Sequence, residues 1–402
     1  MFIGENLTNL RIMYGYSRKQ LSELIGVTEQ AVWQYENNHT SPKIQVINKL
    51  KQIFDVKNKY FYSNDILTRK MIPENIKVRN IAYRSKVVNV ISKTQAEAKH
   101  LEFLDTFVNY LTAKVSYPTM KITQLRDEVI QYLDSSEDSR LIQINKVAEL
   151  ARKRLGFRKD TNEDLMFLVE KSGVFVFEKA IGEEIDAYSL WTCQERPYII
   201  LGNMKRSAFR RNFDIAHELG HILLHYHIDF TSLDRKEHKT IENEANSFAG
   251  IFLLPENEFV IDMKNIFHTT NPDAYMDLKK KWNTSLQVLG YRAANLGIIE
   301  AKNHRNFYAA LHRKGYLKKE PLDELTPLQR PMKVKSIIDL VSKNGLIDLR
   351  QMIEDDWKVG VSFFHYLTGI DSNFFKNYLT IPHGFKFENV IDLTSRISGK
   401  GK

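Results

Sequence analysis

The pentapeptide His217-Glu218-Leu219-Gly220-His221, set inside FDIAHELGHILLHYH from Phe213 to His227, limits what this chain can be more than any other feature. Ile215, Leu219, Ile222 and Leu223 recur at helical spacing, so the stretch reads as one amphipathic helix. Residues four apart lie on one helical face, one turn apart, so both imidazoles can grip a single ion at ~2.1 Å. Glu218, rotated by ~100°, can hold a water bound to that ion. The alternative is a core helix with hydrogen-bonded histidines, but buried imidazoles need partners, and four of them stand between His217 and His227.

A third ligand has to come from a second helix. IENEANSFAGIFLLP, Ile241 to Pro255, offers Glu242 and Glu244. Ala245, Phe248 and Phe252 define its buried face, which leaves Glu244 closer to it than Glu242. A carboxylate at the edge of an apolar face is costly unless paired, and a metal ion is a suitable partner. Otherwise the two glutamates are a solvated first turn favoured by the helix dipole. His225 lies two turns beyond His217, ~12 Å along the axis, too far to share the ion if the helix continues. His227 falls at the third-ligand position of HExxHxxGxxH, yet Leu224 stands where that motif breaks its helix with glycine. Both read as helix-end residues. Asp214 either orients a ligand or serves the helix N-terminus.

The single cysteine, Cys193, excludes an intramolecular disulfide framework and a cysteine-rich zinc cluster, and it fits a reducing cytoplasm. Neither a leader pattern nor a run near eighteen apolar residues occurs, so a soluble cytoplasmic chain with no membrane partner is expected. A net charge of +9 favours polyanionic partners without locating a site.

Such a site is found in SRKQLSELIGVTEQAVWQYENNHTSP, Ser17 to Pro42. Ser17 can cap a helix containing Leu21 and Leu24, Gly26 makes the turn, and Thr28 caps a second helix running through Glu36. Two helices joined by a tight glycine turn make the helix-turn-helix geometry, whose second helix enters the major groove of double-stranded DNA. Ala31, Val32 and Tyr35 then pack inward. Thr28, Glu29, Gln30, Trp33 and Gln34 project outward, with Gln30 and Gln34 placed to read base edges and Trp33 or Asn38 to touch backbone. Leu21, Gly26-Val27-Thr28, Tyr35-Glu36 and Pro42 resemble the XRE, or lambda-repressor-like, family over about 60 residues. Arg18 stands where that family commonly has glutamine, which leaves it a phosphate contact rather than base reading. A helical protein-interaction module is the competing reading.

The rest of the chain divides by texture. We expect a multidomain, mainly α protein: residues 1–65 the all-α DNA-binding domain, 66–135 a helical connector, 136–300 a central α+β domain, and 301–402 a mostly helical region without a chemical motif. VFVFE and YIILG look like strands. KKEPLDELTPLQRP reads as a proline-marked linker, and KVRNIAYRSK, Lys77 to Lys86, as a solvated basic linker face or an extension of the DNA contact.

RRNFDIAHELGHILLHY followed by ENEANSFAGIFLLP resembles the ImmA/IrrE metallopeptidase family, including Arg211 and Phe213 in the lead-in and the EAN-x-FA segment closing on Leu-Leu-Pro. LVEKSGVFVFE, IDAYSL and PYIILG are similar to that family's small sheet, and WNTSLQVLGYRAANLGII to its following helix pair, with Thr284 and Val288 replacing the commoner valine and alanine. The resemblance covers about residues 140 to 300. It implies a zincin-like, gluzincin-type site with His217, His221 and Glu244 as Zn2+ ligands and Glu218 as general base. It also implies narrow proteolysis of a repressor-type protein in a stress or mobile-element response. Together the two resemblances predict an operator-binding regulator, expected as a homodimer, with an endopeptidase domain. The alternatives are a transcription factor whose zincin fold senses a ligand or dimerises, and an antitoxin-like regulator.

Overall fold

The computed structural model describes residues 1–63, 82–83, 91–116, 120–179, 187–192, 194–203, 207–230, 232–379 and 391–392. In chain order the first elements are α1 (Gly4–Met13), α2 (Arg18–Ile25), α3 (Glu29–Glu36), α4 (Ile44–Phe54), β1 (Ala82–Tyr83), α5 (Ile91–Thr112) and β2 (Val115–Ser116). Next come α6 (Lys121–Ser135), α7 (Arg140–Leu155), α8 (Leu165–Ser172), β3 (Phe175–Lys179), β4 (Ala187–Trp191) and β5 (Pro197–Gly202). The helices α9 (Ala208–Leu224), α10 (Arg235–Leu253), α11 (Glu256–Met263), α12 (Met276–Trp282), α13 (Leu286–Asn295) and α14 (Ala301–Arg313) follow. The chain closes with α15 (Lys333–Lys343), α16 (Leu349–Gln351), α17 (Val361–Thr368), α18 (Ser372–Leu379) and β6 (Ile391–Asp392). The mainly α, multidomain class expected from the sequence is what the structure shows.

Two compact units emerge, and the first is assembled from both ends of the chain: residues 1–78, 86–118 and 334–402. Its N-terminal part is built by local signals. Ser17 closes a capping box with Gln20 at the start of α2, Gly26 ends that helix at φ 72°, and the Thr28 hydroxyl caps α3. Leu7, Leu10, Leu21, Ile25, Val32, Ile47, Leu50 and Phe54 are buried, whereas Leu24 is half exposed. Tyr14 stacks on Tyr366 with ring centroids 4.0 Å apart, and the Tyr366 hydroxyl donates to the Met13 carbonyl at 3.0 Å. The Asp55 carboxylate accepts the Ser362 backbone N–H at 2.8 Å. A Cβ at position 360 would meet that carboxylate, so a side chain there would have to displace it. Phe107 of α5 packs against Trp357 and Phe364. The described residues from 334 to 379 therefore belong to the helix-turn-helix unit.

The second unit holds residues 79–85 and 119–333. Its mixed sheet has the order β1-β4-β5-β3, with β3 parallel to β5 and β4 antiparallel to both β5 and β1. The predicted strands VFVFE and YIILG correspond to β3 and β5, and both are buried throughout. Helices α7, α9 and α10 pack together beside the sheet around Ile215, Leu219, Phe248 and Phe252. Gly220 lies against the Phe248 ring where α9 and α10 meet, and a Cβ there would come within 3.0 Å of it.

These units also part from the expected limits at α6 and near residue 320. Helix α6, read as connector, packs with α7 and α9. The proline-marked segment near residue 320 is docked rather than free: Lys279, fully buried, pairs with Glu320 at 2.6 Å and Asp323 at 2.8 Å. Glu320 also accepts the Leu286 backbone N–H at 2.9 Å, so the segment caps α13. The basic run from Lys77 to Lys86 lies outside the described residues except for Ala82 and Tyr83.

Candidate metal centre

Helix α9 is sequestered along nearly its whole length, and His217, Glu218 and His221 are each at most 4% exposed. The Nε2 atoms of His217 and His221 face one another at 3.0 Å. Glu242 of α10 places its carboxylate oxygens 3.4 Å and 3.3 Å from those two nitrogens. The three residues offer donor atoms that all lie within 4.8 Å of one another.

The outer nitrogens of both imidazoles are occupied. His217 Nδ1 stands 3.0 Å from Asn246 Oδ1, an oxygen that can only accept, so that nitrogen carries the proton. His221 Nδ1 lies 3.0 Å from His225 Nδ1, and His225 Nε2 lies 3.0 Å from the Glu244 carboxylate. A carboxylate accepts, so His225 donates through Nε2, its Nδ1 is a lone pair, and His221 donates to it. Burial pushes the His225 pKa down to about 4, and the ring stays neutral. Both Nε2 atoms of the HExxH pair are thereby left as lone pairs, converging with a carboxylate in a buried space. Three electron-rich donors at that separation repel unless a cation lies among them. The donor set, two imidazoles and one carboxylate, fits Zn2+.

Glu218, on the same helix, also meets the sheet: its Oε2 accepts the Ser189 hydroxyl of β4 at 2.6 Å. The predicted general base is thus held by a strand rather than by its own helix.

The carboxylate expected from helix periodicity, Glu244, is not the one that the structure brings beside the histidine pair. Glu244 is engaged by His225 and by Arg140, whose Nη2 donates at 2.7 Å, and Glu242 is the carboxylate beside the histidine pair. Burial raises the Glu244 pKa, but the hydrogen bonds from His225 and Arg140 outweigh it and hold the group at about 2. The reason is angular. Glu242 and Asn246, four apart, share the flank of α10 turned to His217, while Glu244 projects from the other flank. Asn246 and the role of His225 went unread in the sequence; the i,i+4 pairing of Glu242 with Asn246 was the available signal. His225 ends α9 as its C-cap, and His227 is exposed beside Tyr226. Asp214 is buried.

In the first unit the outward residues of α3 are mixed in their freedom. Gln30 and Trp33 are exposed, Gln34 is half-buried, and Trp33 stacks on His39 at 5.0 Å. Thr28 uses its hydroxyl as a cap. Arg18 Nε donates to Glu36 at 2.6 Å, and Arg11 shares the same buried carboxylate. Asn38, at φ 58°, accepts the Gly4 backbone N–H through Oδ1 at 2.7 Å, which ties it to the start of α1.

Comparison with known proteins agrees with both units. Residues 7–57 match the helix-turn-helix family model, and residues 169–294 match the peptidase-family model described as the IrrE N-terminal-like domain. A protein of Pyrococcus furiosus named as an HTH-type transcriptional regulatory protein is 42% identical over 52 residues, which is 13% of this chain. The chain spans 16% of that relative's length. No helix among the described residues is long and apolar enough to cross a membrane.

Proposed function

We propose that this chain, a helix-turn-helix domain joined to a metallopeptidase-type domain of the IrrE kind, is a DNA-binding transcriptional regulator that cleaves a protein partner, a repressor-type polypeptide, in the cytoplasm. The observation that carries the hydrolytic half is the convergence of the His217 and His221 Nε2 lone pairs with the Glu242 carboxylate, backed by Asn246 and His225. His217, His221 and Glu242 would hold Zn2+, and the chemistry such an ion would supply there is a water acidified toward neutral pH and a polarised carbonyl.

The protein's own groups do the rest. Glu218 takes the proton of the attacking water and returns it to the departing amine, with Ser189 fixing the carboxylate that performs both transfers. Asn246 and His225 keep each ligand imidazole in the tautomer whose Nε2 is unprotonated. The buried α9 and its neighbours exclude bulk water from the ligands. In the other unit α3 presents Gln30 and Trp33 to the major groove of an operator, bound by a homodimer.

Protein expressed in zinc-replete medium contains about one zinc per chain. Incubated with small repressors encoded beside it, the wild type yields a specific fragment, and Glu218→Gln keeps the metal and yields none. Preparations without divalent metal, or identical fragments from both proteins, overturn the reading.

A further inference from the structure

We propose that the exposed face of α14, in the second unit, is a further DNA-binding surface that holds the phosphate backbone of a duplex without reading its sequence. The inference goes beyond the operator contact assigned to α3 and makes no use of the metal centre.

The chain's excess positive charge is concentrated there. From Ala301 to Lys319 the sequence has six Lys or Arg residues and no Asp or Glu, whereas the other 383 residues hold 52 basic and 49 acidic side chains. Most of the net charge of +9 therefore sits on one helix and the turn after it. Packing fixes which side of the helix carries it. Phe307, Ala310 and Leu311 are buried, and Phe307 lies against Gly290 and edge-on to Tyr275 at 4.9 Å. By helix geometry Lys302, Arg305 and Arg313 then fall within an arc of ~80° on the far side, and all three are exposed. Lys314 pairs with Asp273 and Lys319 with Glu324, but among the described residues Lys302, Arg305, Arg313 and Lys318 have no acidic partner.

Helix electrostatics accounts for Arg313, a cation in the last turn beside the free carbonyls. It does not account for Lys302 in the first turn, where the dipole disfavours a cation, nor for Arg305 three residues on, where like charges repel. An external polyanion relieves both costs. The stripe runs ~16 Å from Lys302 to Arg313, the length of about five phosphate steps of one DNA strand. Ala309 lies between the cations and Asn306 beside them, so the face offers charge and small polar groups. The centre of a protein interface is instead depleted in lysine and rich in aromatic side chains. Contacts of the kind this stripe can make position a duplex and carry no sequence information.

The experiment uses the full-length chain and a fluorescent duplex of about 30 base pairs without an operator, titrated between about 50 and 200 mM salt. The triple variant Lys302→Ala, Arg305→Ala, Arg313→Ala is expected to lower the slope of log affinity against log salt by about 2–3, at roughly 0.9 per lost phosphate contact. It is expected to bind at least about tenfold more weakly at the lowest salt. All three side chains are exposed, and an unchanged thermal midpoint shows that the fold survives their loss. A control triple, Lys153→Ala, Lys159→Ala, Lys171→Ala, removes the same charge from other exposed positions of the same unit and is expected to leave the slope unchanged. Equal slopes for the native chain and the α14 triple, or an equal fall in the control, overturns the proposal. An α14 triple that keeps its duplex affinity and loses binding of polyglutamate also overturns it, and gives the face to an acidic protein. Because neither an operator nor a metal enters the assay, these results stand apart from base reading by Gln30 and from the peptidase assignment.

Discussion

The Nδ1 atoms of His221 and His225 stand 3.0 Å apart, and only one of them can carry the proton. Glu244 decides which: it accepts from His225 Nε2 and is itself held by Arg140, so the chain of donation runs from His221 through His225 to the carboxylate. His225→Phe and Glu244→Gln each break this chain without removing a metal-facing atom. Outer partners of metal-bound histidines typically contribute 10–100-fold in affinity, so each variant is expected to bind zinc weaker by about that factor. The double variant is expected to lose no more than the worse single one, because both act on one ring. Competition with a chromophoric chelator measures this, and unchanged affinity in both removes the chain from the site.

Glu242 and Glu244 are separated by one residue and do different work, which a stoichiometry measurement resolves. Glu242→Ala removes a donor from the cluster and is expected to leave substoichiometric zinc after gel filtration. Glu244→Ala keeps the metal, bound less tightly. The opposite pattern would restore Glu244 as the ligand that the sequence reading preferred.

That reversal shows where sequence reasoning gave out. The HExxH spacing, the Ser17 and Thr28 caps and the Gly26 turn are local, set by helix periodicity and backbone conformation, and they could be read directly. Which flank of α10 meets α9 depends on the rotation of one helix against another, here with Phe248 lying against Gly220; the apolar period of α10 does not encode it, and only the i,i+4 pair Glu242 and Asn246 hints at it. The union of α1, α5 and α17 was equally hidden. It rests on Tyr14 with Tyr366 and on Asp55 with Ser362, contacts between residues about three hundred positions apart, and nothing in the local pattern joins them.

Lys279 is completely buried between Glu320 and Asp323, and its ammonium lies 4.2 Å from the centre of the Phe209 ring. Lys279→Met removes one partner and leaves two carboxylates in a dry site. Breaking a buried ion pair in this way costs ~3–5 kcal/mol. Urea denaturation followed by tryptophan fluorescence should show a loss of that order. Glu320→Gln should cost less, because the amide oxygen still accepts from the N-terminus of α13. Equal stability of Lys279→Met and wild type would mean that water reaches the triad.

Lys333 places its Nζ 3.9 Å from the centre of the Phe175 ring and donates to the Val174 carbonyl at 3.3 Å. Burial pushes its pKa down to about 7 from an ordinary 10.5, against the opposing field of Glu170. The sign follows from proton counting. Between pH 7 and 10.5 the unfolded chain binds a proton that the folded one does not, so stability rises with pH across that window. Lys333→Met is expected to abolish this part of the rise. Denaturation midpoints of both proteins at pH 7, 8.5 and 10, the last two chosen as about the middle and top of the window, give the comparison. Parallel profiles would show an amine with ordinary proton affinity.

Gln30 and Arg18 separate base reading from packing in the helix-turn-helix. Gln30 is exposed at the second position of α3, where a recognition helix meets base edges, whereas Arg18 donates to the buried Glu36. Gln30→Ala is expected to lower discrimination at one operator position by ~1–3 kcal/mol while leaving the salt slope unchanged. Arg18→Ala is expected to leave both discrimination and slope near wild type and to lower thermal stability instead, since Arg11 alone then neutralises Glu36. Titrations of labelled operator and of single-base variants at several salt concentrations test both. A fall in slope of about one for Arg18→Ala would make it a phosphate contact after all, and unchanged selectivity in Gln30→Ala would take that residue off the DNA.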